Sequence, residues 1–167
     1  IYPGGTTGGP KGARGRGMNP QDLMDTLRAL DLLDPRHVHL VAGPMYHSAP
    51  GGLALYAHLV GATVVIMPKF DAGQALAQIA RPRCSSTFMA PTLLKRIVEL
   101  PAEIRARYDV SSMRATIMAA APCPMGVKEA VVGYFGLALY EFYGSSELGV
   151  NTILKPEDVL RKPGACG

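Results

Sequence analysis

Short runs of apolar or β-branched residues alternate with helix-compatible segments along most of this 167-residue chain. Such runs, bounded by glycine and proline, are typical of strands, and apolar residues at helical spacing are typical of the segments between them. The predicted strands span residues 37–43, 63–67, 85–90, 113–120, 137–143 and 149–153, and the predicted helices span 18–33, 49–62, 71–80, 91–100, 101–108 and 124–135. This alternation predicts an α/β fold with a mostly parallel sheet covered by helices.

Several local features allow sharper expectations. Asn19 can cap the first helix, where Pro20 suits the first turn, and Asp71 stands at the start of a later helix. The β-branched run 63–67 lies between Gly61 and Pro68, which predicts a buried strand. In parallel sheets ligands bind in the loops that follow the strands, so the site is expected there.

Composition narrows the class of function. Hydrophobic residues make up 48% and charged residues 18%, an ordinary balance for one globular domain, and the net charge of +4 suits an anionic ligand such as a nucleotide. The basic residues are mostly scattered and aromatic residues are few, so nucleic acid is not an expected partner. Three widely spaced cysteines predict a reduced, cytoplasmic setting. No apolar run reaches the length of a transmembrane segment.

The histidines have no metal-binding spacing of their own. His37 and His39 are two apart on a predicted strand and therefore share one face. A metal-binding pair is compatible with that placement, but no third ligand is evident in the sequence. His58 lies in an apolar helix and is expected to be a core or boundary residue.

Residues 2–12, YPGGTTGGPKG, are unsuited to a core, a helix or a strand. Glycines let backbone N–H groups approach an anion, and the threonines and the lysine add donors and charge. The segment does not match the P-loop pattern, because its lysine follows proline and precedes glycine. From composition alone, a flexible linker and a phosphate-binding loop both remain open.

Five motifs in order resemble those of the adenylate-forming superfamily, which includes acyl-CoA synthetases, luciferases and peptide-synthetase adenylation domains. They are GTTGGPKG (5–12), GPMYHSAPG (43–51), AAAPCP (119–124), YEFYGSSELG (140–149) and RKPGACG (161–167). Within the superfamily, the glycine-rich start and EFYGSSELG look most like bacterial acyl-CoA synthetases of the fatty-acid type. The resemblance implies that a carboxylate attacks the α-phosphate of ATP with Mg²⁺, and that coenzyme A then displaces AMP.

The resemblance also assigns roles to individual residues. Thr6, Thr7, Gly8 and Lys11 would hold the β- and γ-phosphates of ATP. Ala120, Ala121 and Pro122 would form the backbone wall of an adenine pocket in which Tyr143 stacks on the base and Gly144 follows it. Three residues are the expected catalytic group: Ser146 would donate to the α-phosphate, Glu147 would bind Mg²⁺, and His47 would border the acyl pocket and orient the carboxylate.

Three glycines predict the size of the acyl group. Acetate-activating members carry a bulky aromatic residue where this chain has Gly144, so Gly144, with Gly51 and Gly52, favours a medium, long or bulky acid.

Residues 1–167 are expected to be a fragment of the AMP-binding large domain, without its N-terminal part and small C-terminal domain, and to be inactive alone. The alternatives are an acyl-AMP ligase or a peptide-synthetase adenylation domain, and a non-catalytic nucleotide-binding module.

Overall fold

The structure is a computed structural model that describes residues 19–145 and 149–166. Its centre is a six-stranded sheet in the order β2-β1-β3-β4-β5-β6. The strands β1 to β5 are parallel, and β6 is antiparallel to β5. The strands are β1 (Val38–Val41), β2 (Thr63–Ile66), β3 (Ser86–Phe88), β4 (Ala115–Met118), β5 (Leu139–Ser145) and β6 (Gly149–Leu154).

Helices cover both faces of the sheet. They are α1 (Pro20–Ala29), α2 (Ser48–Leu59), α3 (Ala72–Ala80), α4 (Pro91–Val98), α5 (Ala102–Arg105), α6 (Met125–Phe135) and α7 (Pro156–Val159). One apolar core joins the sheet to α3, α4 and α6, and a second core joins the other face to α1 and α2. Along β4, Ile117 belongs to the second core and Met118 to the first, as the two-residue period of a strand requires.

The predicted helix starts are confirmed. The Asn19 side chain accepts a hydrogen bond from the Gln21 N–H at 3.0 Å, with Pro20 in the first turn of α1. The Asp71 carboxylate accepts one from the Gln74 N–H at 2.8 Å, which caps α3. These side chains satisfy backbone donors that a helix leaves unpaired at its N-terminus.

Two burial predictions are wrong. The strand β2 is not buried, because it lies at the edge of the sheet beyond β1, and Thr63 and Ile66 at its ends are exposed. His58 is also exposed, because it lies on the outer side of α2, whereas Leu53 and Ala57 face inward. The short helix α7 follows β6 and was not predicted.

The amino ends of the strands are tied by an ion-pair network on the surface. The Arg114 guanidinium donates to the carboxylates of Asp31 and Asp34, at 3.1 Å and 3.0 Å, and Arg36 also binds Asp34. The guanidinium of Arg36, followed by that of Arg114, holds the pKa of Asp34 well below its usual range. The network fixes the segment between α1 and β1 at the amino ends of the strands. This end of the sheet is opposite to the loops that carry the motifs.

Candidate active site

Most of the predicted site residues within the described ranges lie where the carboxyl ends of parallel strands meet. Residues 42–47 follow β1 and residues 119–124 follow β4, while Tyr143 and Gly144 lie near the carboxyl end of β5. Parallel strands that run in one direction bring these segments to a single edge of the sheet. The predictions for Thr6, Thr7, Gly8, Lys11, Ser146 and Glu147 fall outside the described residues.

A cavity of about 570 Å³ lies at this edge between α1, α2 and the sheet. That volume is within the usual range of small-molecule sites, and most of the lining is apolar. The walls include Leu23, Thr26 and Leu27 from α1, Ala49, Gly52 and Tyr56 from α2, and Phe88 and Phe142 from the sheet. The sequence predicted α1 as a helix but not as a wall of the cavity, because its leucine stripe is equally typical of a helix packed on a core.

The loop after β1 leads directly into α2. His47 is the N-terminal cap residue of α2, and its carbonyl accepts the Gly51 N–H at 3.0 Å. Its imidazole is exposed, does not line the cavity, and lies 4.6 Å from the Tyr46 ring between centroids. His47 therefore stands at the rim of the site rather than inside the pocket.

Gly51 and Gly52 differ in what surrounds them. A Cβ on Gly51 would lie 2.3 Å from the Met45 carbonyl oxygen, so this glycine lets the loop after β1 pack against α2. A Cβ on Gly52 would meet nothing within 4 Å, and Gly52 lines the cavity. The expectation that both glycines enlarge the acyl pocket is therefore corrected for Gly51, which does not line it.

The loop after β4 contains a strained residue. Ala120 has a φ of +79°, a backbone conformation that L-residues with a side chain rarely adopt. Ala120 lines the cavity, and Ala121 and Pro122 beside it are exposed. The small side chains and the exposed position of these residues suit the predicted role of a wall for a flat ligand.

Tyr143 and Gly144 lie where β5 and β6 pair irregularly. Tyr143 is 57% exposed, although it stands on a central part of the β5–β6 ladder opposite Thr152. Gly144 lines the cavity, and a Cβ there would lie 2.3 Å from the Gly149 carbonyl oxygen. The close approach of β6 therefore gives a second reason for glycine at position 144, besides the predicted opening of an acyl pocket.

A buried ion pair near this edge was not predicted. Lys128 on α6 contacts Glu141 on β5, and both side chains are almost fully buried. The residues are 13 positions apart in different elements, so no local pattern in the sequence joins them. The only sequence signal for the burial of Lys128 is helical spacing, which places it one turn before the buried Val131.

The two strand histidines are held by serine hydroxyls. His37 Nδ1 lies 2.7 Å from Ser85 Oγ, and His39 Nδ1 lies 3.0 Å from Ser86 Oγ. Burial lowers the pKa of His37, and it lowers the pKa of His39 to about 4. Within residues 19–145 and 149–166, no group of three or more His, Cys, Asp or Glu side chains could hold a metal ion.

A mostly parallel sheet with an apolar cavity and an exposed tyrosine at its carboxyl edge defines an α/β ligand-binding domain. A family model of AMP-binding enzymes matches residues 1–167. The chain belongs to this family of AMP-binding enzymes, which confirms the resemblance drawn from its motifs.

Individual relatives agree with that assignment. The feruloyl-CoA synthase of an Amycolatopsis species is 31% identical over 170 residues, which cover 100% of this chain and 34% of that protein. The structure of the amide bond synthetase McbA from Marinactinospora thermotolerans matches with a TM-score of 0.83 and 28% identity, over 95% of this chain and 31% of that one. The O-succinylbenzoate coenzyme A synthetase of Bacillus subtilis, in complex with AMP, matches with a TM-score of 0.82 and 25% identity, over 100% and 34%.

These similarities confirm the predicted fold class. The chain spans about a third of the length of the curated relatives it matches. In the part of the chain that the structure describes, no helix is long and apolar enough to cross a membrane.

Proposed function

We propose that residues 1–167 are part of the large domain of an acid–CoA ligase that works through an acyl adenylate. The carboxylate oxygen of the acid attacks the α-phosphorus of ATP, and the bond to pyrophosphate breaks. The thiol of coenzyme A then attacks the acyl carbon, and AMP leaves. Family membership over the whole chain and relatives that are CoA ligases support this reading.

The nucleotide would lie at the carboxyl edge of the sheet. Tyr143 offers an exposed ring for the adenine base, and the exposed segment from Ala120 to Pro122 follows the neighbouring strand β4. Thr6, Thr7, Gly8 and Lys11 would hold the outer phosphates as hydrogen-bond donors and positive charge. Ser146 would donate to the α-phosphate, and Glu147 would hold Mg²⁺, which neutralises phosphate charge when bound.

The acid would occupy the cavity between α1 and α2. An engineered apolar cavity of roughly 150 Å³ binds benzene, and the cavity here, at about 570 Å³, is several times larger. The walls are mainly leucine, alanine and phenylalanine, which favour an aromatic or medium to long aliphatic acyl group over acetate. The open cavity beside Gly52 is the observation that carries this substrate class.

His47 would act at the entrance to that cavity. Its exposed imidazole at the start of α2 can approach a carboxylate that enters from the rim. The positive end of the helix also favours a negative charge there. This placement supports a role in orienting the acid and gives the imidazole no contact with the buried acyl group.

The molecule that accepts the acyl group from acyl-AMP distinguishes the leading proposal from its alternatives. In the full-length protein, release of AMP with a bulky acid is expected to depend on added coenzyme A. Formation of acyl-AMP without thioester would favour an acyl-AMP ligase or a peptide-synthetase adenylation domain. ATP binding without any acid-dependent reaction would favour a non-catalytic nucleotide-binding module.

Two further proposals concern the activity of residues 1–167 alone and the cellular location of the protein. Residues 1–167 alone are expected to form no acyl-AMP, and detectable acyl-AMP from this piece would contradict the proposal. A cytoplasmic location is also proposed, because the three cysteines, Cys84, Cys123 and Cys166, are odd in number and widely spaced.

A further inference from the structure

The ion pair between Lys128 and Glu141 is shielded from water in a way that the others are not. The two side chains are 4% and 8% exposed. In every other ion pair among residues 19–145 and 149–166, at least one partner is 48% exposed or more. The pair therefore exchanges little with solvent and keeps a defined geometry.

The pair connects the two structural elements that flank the proposed adenine site. Lys128 lies in the first turn of α6, directly after the loop 119–124, and its N–H donates to the Pro124 carbonyl at 3.2 Å. Glu141 lies on β5 between Met118 of β4 and Leu154 of β6. Tyr143 follows two residues later and therefore points to the same face of β5 as Glu141.

Stability does not explain this pair. Burying two charges costs about as much as their attraction returns, and apolar replacements of buried pairs are often as stable or more stable. A lysine in the first turn also opposes the helix dipole, and the first turn of α6 contains no acidic residue and no side-chain cap. The position of Lys128 in the helix therefore does not favour a lysine, and the contact with Glu141 is the interaction that accounts for it.

The loop 119–124, which connects β4 to α6, contains a strained residue that the surrounding structure must hold in place. Ala120 has its strained φ of +79° at the carboxyl end of β4. Strained backbone of this kind persists only where the surrounding structure holds it in place. The strand β4 holds the loop on one side, and α6, anchored to β5 through Lys128 and Glu141, holds it on the other.

We propose that Lys128 and Glu141 are positioning residues that set the distance between the loop 120–122 and Tyr143, and with it the fit of the adenine base. The inference rests on the proposed function, because it assumes that a nucleotide binds between these two elements. The pair touches no reacting atom and acts through the loop and the tyrosine.

The test compares nucleotide binding and acid use in the full-length protein. The double variant Lys128→Met/Glu141→Met removes both charges and keeps apolar volume, so it is expected to remain folded. Its Kd for AMP and its KM for ATP are expected to rise about tenfold, while the KM for the acid changes less than about twofold. The matched control is Lys95→Ala/Glu99→Ala, which removes an exposed ion pair on α4 and should leave both constants unchanged.

Each outcome has one meaning. Unchanged AMP binding by the double variant, or an equal rise in the KM for the acid, overturns the positioning role and leaves the proposed function standing. Failure of the unmodified protein to bind AMP or ATP overturns the proposed function itself. If the double variant does not fold, Glu141→Asp, which keeps the charge but shortens its reach, decides: a raised KM for ATP supports the proposal, and an unchanged one contradicts it.

Discussion

Phe142 and Tyr143 are neighbours on β5 and face opposite sides of the sheet. The Phe142 ring lines the cavity and lies 6.2 Å from the Phe88 ring between centroids, whereas Tyr143 is 57% exposed on the other face. Adjacent strand residues always diverge in this way. Under the proposed function, β5 would therefore contact the acid with one face and the nucleotide with the other.

This division predicts separate kinetic effects for the two rings. Tyr143→Ala removes a stacking surface that contributes about 1–3 kcal/mol per base, so the KM for ATP should rise roughly 5- to 150-fold with the KM for the acid little changed. Phe142→Ala should instead alter acid preference and leave ATP binding near normal. Steady-state kinetics with each substrate varied in turn is the measurement, and equal effects on both constants in either variant would refute the division.

The paired glycines at the start of α2 predict opposite stability changes. Gly52→Ala should raise stability by about 0.5–1 kcal/mol, since its Cβ meets nothing and alanine is the better helix former. Gly51→Ala should lower stability by about 1–3 kcal/mol, because its Cβ would lie 2.3 Å from the Met45 carbonyl oxygen. Thermal unfolding of both variants checks the contrast, and two changes of the same sign would count against it.

A larger side chain at position 52 tests the acyl pocket. Gly52→Leu should fill part of the cavity and lower kcat/KM for an aromatic acid relative to butyrate by about tenfold or more. The competing acids are compared in one assay of AMP release. An unchanged ratio in a folded variant would mean that the acid does not bind between α1 and α2.

The strained alanine after β4 predicts a stabilising substitution. Ala120→Gly should raise stability by about 1 kcal/mol, because glycine adopts a φ of +79° without steric cost. Ala120→Val should lower it, since a β-branched residue suits this conformation least. Chemical unfolding of the two variants provides the test, and a loss of stability in the glycine variant would contradict the strained conformation.

The buried histidines predict a loss of stability in mild acid. Burial, followed by the nearby His37 charge, lowers the pKa of His39 from 6.5 to about 4, so the unfolded chain binds the proton more readily than the folded one between these values. The contribution of His39 to the free energy of unfolding is therefore fully present above about pH 6.5. It is lost as the pH is lowered towards 4, and the loss reaches about 3 kcal/mol.

The pH dependence of the melting temperature measures this effect. His39→Gln keeps a polar group beside Ser86 and should flatten the profile between pH 6.5 and 4. His58→Gln, at an exposed position on α2, is the matched control and should follow the unmodified protein. A His39→Gln profile as steep as that of the control would assign the acid sensitivity to other groups.

Local patterns predicted the elements and their starts, because the interactions concerned are local. Asn19 and Asp71 cap helices through backbone groups two and three residues away. The edge position of β2 was missed because it depends on strand order, which joins residues far apart in the chain. A β-branched run between glycine and proline is compatible with either a central or an edge strand.

The motifs predicted which loops lie at the carboxyl edge of the sheet, but not how the residues of those loops pack. Gly51 and Gly52 are indistinguishable in sequence, and only the approach of the Met45 carbonyl separates a packing role from a cavity wall. The contact between Lys128 and Glu141 likewise depends on how α6 crosses β5. Such relationships arise from packing between elements, for which a single sequence contains no periodic signal.

Acid-dependent exchange of pyrophosphate into ATP by the full-length protein tests the central claim most directly. It reports formation of the acyl adenylate and does not depend on the acceptor. With ferulate or octanoate, exchange is expected to exceed the rate with acetate by about tenfold or more. Exchange that no carboxylic acid stimulates, in a protein that binds ATP, would contradict the account.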